Sequence, residues 1–217
     1  MSTQNHIERI IYINLDYRLH RRKWMENQLK PLNIPYERFG AIRPPVESLV
    51  EETGEYHSYF LRSTKWVKNM HKQERTHPRL VGVVGVYLSN YFIHKRAVNE
   101  GWGNYLILED DCDLNGVGID LVNKHLTEET IPSNWDMVRS LCGSPHSTVE
   151  KFITNNKSSK FPTSPDGAPD RRNNRAGGAH FTLCKGSSSR KIVTFLEEDL
   201  VYNIDGVYAS KELNIYH

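Results

Sequence analysis

With 217 residues, 38% hydrophobic and 25% charged, the chain has enough apolar material for a buried core and too much to be a disordered polymer. Its 28 Lys and Arg against 26 Asp and Glu leave a formal charge of +2, which excludes the broad basic field that nonspecific nucleic-acid binding needs. Cys112, Cys142 and Cys184 are too few and too widely spaced for a disulfide framework or a thiolate zinc site, so a reducing compartment, the cytoplasm, is expected.

The first apolar run, Ile10-Ile11-Tyr12-Ile13, is β-branched and aromatic and is bounded by Asn14 and Asp16, the pattern of a buried strand. It is far too short for a signal-peptide core, and no later stretch approaches the roughly 18 apolar residues that cross a bilayer. Contact with a membrane is therefore expected to be peripheral at most. Residues 17–30 turn basic, with Met25, Leu29 and Leu32 at helical spacing and Pro31 closing the segment; residues 34–39 form a second strand. Strand, helix, strand within forty residues predicts a βαβ unit, hence an α/β fold with a mostly parallel central sheet flanked by helices.

Residues 43–79 lack a clear period and are expected to form short helices and loops over the sheet edge. The next helix covers 82–100, where Val84, Leu88, Tyr91 and Val98 return to one face, and Gly101 and Gly103 end it. Tyr105-Leu106-Ile107-Leu108 reads as a central strand that runs directly into Glu109-Asp110-Asp111. Further strands are expected over 135–141 and 177–183, and a helix capped within 187–189 carries Ile192, Val193, Leu196 and Leu200. The polar, Ser- and Pro-rich segment 144–175 reads as a long flexible loop inside a single domain, 1–217.

Ligands of open α/β sheets bind outside the carboxyl ends of the strands, which is where the three acids fall. Adjacent carboxylates repel one another unless a cation or hydrogen-bond donors offset them, and hard oxygen ligands favour magnesium, calcium or manganese over zinc. A solvated loop after a strand is the alternative for this run.

Taken in order, Ile13-Asn14-Leu15-Asp16 with Arg18, Arg21 and Arg22, then Gly85 with Leu88-Ser89, then the strand ending in Glu109-Asp110-Asp111, then Trp135-Asp136, resemble the landmarks of glycosyltransferase family 25, the lipopolysaccharide and collagen sugar transferases. The resemblance implies a GT-A type, Rossmann-like domain and a UDP-sugar donor, often of galactose. It also implies a manganese or magnesium cofactor, a glycan or other hydroxyl acceptor, and transfer with inversion. Carried onto this chain, it makes Asp111 and Glu109 metal ligands, and it makes Asn14, Leu15, Arg18, Arg21, Ser89, Glu109 and Asp110 donor-binding residues. Gly178 and His180, in the Gly-rich stretch 177–181, join the donor set, and Asp205 becomes the general base. Asn90 stands where the family's Ser-His pair has its histidine. A nucleotide-sugar or glycan binding module without turnover, and a metal-dependent phosphotransferase, remain the competing readings; the phosphotransferase lacks its usual Gly-rich phosphate loop here.

Overall fold

The computed structural model describes residues 6–114, 131, 133–140, 180–198, 204, 208 and 213–216. Strand β1 (Arg9–Asn14) buries every residue from Ile10 to Asn14. Helix α1 (Leu19–Leu29) turns only Met25 and Leu29 fully inward. A single 3-10 turn through Pro31 follows it and ends at Asn33, whose φ of 50° reverses the chain into β2 (Tyr36–Gly40). The βαβ unit is thus present, with β1 parallel to β2 in the register Ile10↔Tyr36.

Three short helices come next, α2 (Val46–Val50), α3 (His57–Leu61) and α4 (Lys65–His71). Short helices are thus present as the sequence led us to expect, and Leu49, Val67 and Met70 share one apolar core with Leu80, Val84 and Tyr87 of α5 (His77–Glu100), against which Phe39 of the edge strand β2 also packs. Gly101 ends α5 at φ +66°, a left-handed conformation that a side chain would disfavour.

Strand β3 (Tyr105–Glu109) pairs in parallel with β1, and β4 (Met137–Ser140) pairs in parallel with β6 (Ile215–Tyr216). Between them runs β5 (Phe181–Cys184), antiparallel to both β3 and β4, so the sheet has the order β2-β1-β3-β5-β4-β6 and is mixed. Helix α6 (Ser189–Glu198) packs with α5. Alternation along the strands splits the interior into two layers: Ile11, Ile13, Tyr105 and Ile107 face α5 and α6, whereas Ile10, Tyr12, Leu106 and Leu108 face α1. Among the described residues, no helix is long and apolar enough to cross a membrane.

Two of the spaced residues that carry the family resemblance perform a packing task. A Cβ on Gly85 would lie 2.3 Å from the Ile42 carbonyl oxygen, and one helical turn on, Ser89 Oγ accepts a hydrogen bond from Ile42 N at 2.9 Å while donating to Gly85 O at 2.7 Å. Helix α5 therefore grips the backbone just past β2. Gly85→Ala must push that backbone away, and we expect it to cost about 1–3 kcal/mol; urea unfolding would show the loss, and a stability equal to wild type would refute the contact.

Candidate active site

The parallel pairing of β1 and β3 sets Ile13 beside Glu109, so both strands end at the same rim of the sheet. A tight turn follows β3, closed by Cys112 N donating to Glu109 O at 3.0 Å, and it fans the three carboxylates apart. Asp110 turns inward and is buried. There Asn14 Nδ2 donates to its Oδ2 at 2.8 Å, Arg21 Nη1 to its Oδ1 at 2.7 Å, and Arg18 Nη1 stands 3.7 Å from Oδ1. Both arginines come from the start of α1, where the turn bonded from Arg18 N to Leu15 O delivers them.

Glu109 and Asp111 point the other way, toward His180. The antiparallel register Leu108↔Phe181 places the residue before β5 opposite Glu109, and Glu109 N donates to His180 O at 3.0 Å. His180 Nδ1 lies 2.8 Å from Glu109 Oε2 and 2.9 Å from Asp111 Oδ1. One ligand atom from each of Glu109, Asp111 and His180 falls within 4.8 Å of the others. Two carboxylates and an imidazole converging at that range are a donor set that fits a divalent cation such as manganese or magnesium.

Protons and guanidinium groups offset the acids. Hydrogen bonds to Asp111 and then to Glu109 lift the His180 imidazolium to about 10, and His180, with Arg21 behind it, holds the Asp111 carboxyl below its usual range. The Arg21 guanidinium also reaches Asp111 Oδ2 at 3.2 Å, so it spans both carboxylates.

Of the residues the sequence singled out, the structure brings Asn14, Arg18, Arg21, Glu109, Asp110, Asp111 and His180 into one cluster. Leu15 contributes its carbonyl to the turn that aims Arg18. Ser89 is not among them: it is fully buried and both its hydrogen bonds go to backbone. Gly178, Asp205, Leu200 and the 144–175 segment lie outside the described residues. Trp135-Asp136 is a staple, in which buried Asp136 accepts from Lys191 of α6 and from Asn214 N, fastening β4 to its neighbours. Arg38, which sequence reasoning passed over, donates to Asn14 O at 3.1 Å and pairs with Asp16 at 2.8 Å. Its signal was weak, a lone cation in an edge strand.

A family model described as Glycosyltransferase family 25 (LPS biosynthesis protein) matches residues 7–166. No curated protein matches the chain.

The raised His180 value has a sign that can be read in stability. An imidazolium favoured by the fold stabilises it fully below the ordinary histidine value of about 6.5, and that contribution disappears as pH climbs through about 10. In chelator-treated buffer, wild-type protein should therefore lose stability across this alkaline window, and His180→Asn should flatten the loss. An identical alkaline limb in the two proteins would contradict the bridge.

Proposed function

Because the chain belongs to glycosyltransferase family 25, we propose that it moves a hexose, galactose being the first candidate, from a UDP-sugar to a hydroxyl of a glycan acceptor. The observation that carries this reading is the convergence of Glu109, Asp111 and His180 at the strand ends, flanked by Arg18 and Arg21.

Glu109 and Asp111, with His180, are the residues that would hold manganese or magnesium, and a bound ion would supply Lewis-acid stabilisation of charge on the departing diphosphate. Asp110 serves differently. Buried and bonded to Asn14 and Arg21, it fixes the guanidinium groups of α1 where a diphosphate can meet them. On the resemblance of its sequence position, Gly178, two residues before His180, joins the donor-binding set. Ser89 supports the rim from behind by holding Ile42.

In the transfer, the acceptor oxygen forms a bond to the anomeric carbon while the bond from that carbon to the diphosphate breaks, and the acceptor proton passes to a carboxylate. Asp205 takes that role on the resemblance of its sequence position, and attack opposite the leaving group inverts the anomeric centre. The family assignment and the mixed α/β sheet support a GT-A type arrangement. The binding-module reading drew on Asn90, and Asn90 is buried, bonded to Val86 O and Tyr208 and not to the acids.

Release of UDP from a panel of UDP-sugars, with manganese and with or without glycan acceptors, tests the proposal. Asp111→Asn should lower turnover by about 10²–10³, the scale of losing electrostatic stabilisation of a leaving group. Asp205→Asn should leave donor binding intact while abolishing transfer. Turnover that ignores manganese and survives Asp111→Asn would overturn the reading.

A further inference from the structure

Five large hydrophobic side chains are exposed among the described residues: Tyr17, Leu19, Trp24, Tyr36 and Leu61. Four of them gather around one helix. Tyr17 precedes α1, Leu19 and Trp24 lie on it, and Tyr36 opens the edge strand β2 and shares with Leu19 a groove of about 660 Å³. Leu19 is 66% and Tyr17 62% exposed, far more than chance solvent contact at the margin of a core.

The same groove is basic, with Arg22, Lys23 and Lys30 along it. Its acid is Glu26, whose carboxylate already accepts from Arg22 Nε at 2.9 Å and from the Tyr12 hydroxyl at 2.9 Å. Lys23 and Lys30 form no ion pair among the described residues, so the face carries net positive charge. Leu19 and Lys23 are one helical turn apart and Lys30 two turns further, which aligns them along one stripe.

Lysines beside an exposed leucine and tyrosine match the two layers of an anionic membrane surface, phosphates outside and a hydrocarbon boundary beneath. Nucleic acid offers cations the same phosphates but no apolar layer for Leu19. We propose that this outer face of α1, with Tyr36, docks the protein on an anionic phospholipid surface, Lys23 and Lys30 meeting headgroup phosphates while Leu19 and Tyr36 enter the interface. Since Arg18 and Arg21 at the start of the same helix contact Asp110, docking holds the acid cluster at the membrane border. The inference stands on exposure and charge and does not require the transferase reading.

Co-sedimentation of the full chain with vesicles tests it, comparing phosphatidylcholine alone with phosphatidylcholine containing phosphatidylglycerol. The wild type should pellet with the anionic vesicles only, and high salt should release most but not all of it. Lys23→Glu with Lys30→Glu should weaken partitioning about tenfold or more, and Leu19→Ser should weaken what binding survives at high salt. Both sets of side chains are exposed, so a circular-dichroism spectrum matching wild type confirms that the variants fold. Absence of pelleting, equal pelleting with both vesicle types, or binding untouched by the double substitution would each overturn the proposal. Binding to nucleic acid in place of vesicles would do so as well.

Discussion

Mutual repulsion among three consecutive carboxylates is the constraint around which this rim of the protein is organised. Side by side in a partly dry environment, such charges are costly, and no local rearrangement of the strand end removes the cost. The fold separates them. Asp110 goes inward to Asn14 and Arg21, while Glu109 and Asp111 share the imidazolium of His180. These partners come from β1, from α1 and from the start of β5, so the charge balance exists only once three distant segments have assembled.

That balance gives α1 two duties. Its inward side, Met25 and Leu29, packs on Ile10, Tyr12, Leu106 and Leu108, which fixes the helix against the strands that carry the site. Its beginning then presents Arg18 and Arg21 at the strand ends, where guanidinium groups both quiet the acids and offer donors to an anionic ligand. A helix whose only role was to cover the sheet would not need charge at the end nearest the rim.

Much of this was legible in the residues. The continuous apolar runs of β1 and β3 announce strands buried on both faces, and the stripe through Val84, Leu88 and Tyr91 announces α5, because burial on one or two faces leaves a period in the sequence. The acids follow β3 directly, so their position at a strand end needed no tertiary information. The direction of β5 did. Nothing in a four-residue strand records whether its neighbours run with or against it, yet that direction sets His180 opposite Glu109. Ser89 illustrates the opposite failure: a hydroxyl beside a suggestive neighbour looks available for a ligand, whereas its two bonds to Gly85 and Ile42 are set by a close backbone approach that only the fold reveals. Two-residue β6 is too short to leave any period.

Asn90 shows why a departure from an expected pattern has to be weighed by its surroundings. Its Oδ1 accepts from the Tyr208 hydroxyl at 3.1 Å and its Nδ2 donates to Val86 O at 2.9 Å. Behind Tyr208 stands His94, fully enclosed, with Nε2 2.6 Å from the Tyr208 hydroxyl and Nδ1 2.6 Å from that of Tyr105. Burial pushes His94 down to about 3, so the ring is neutral and carries one proton. One assignment satisfies every member: Tyr105 donates to Nδ1, Nε2 donates to the Tyr208 oxygen, and Tyr208 donates to Asn90. In this chain of bonds the group at position 90 must accept from a tyrosine and still find its own acceptor within α5, which the carbonyl and amino halves of an asparagine side chain do together. The residue therefore belongs to the polar seam that fastens α5 to β3 and to Tyr208, and its exchange for the expected histidine leaves the carboxylates at the end of β3 with all their partners.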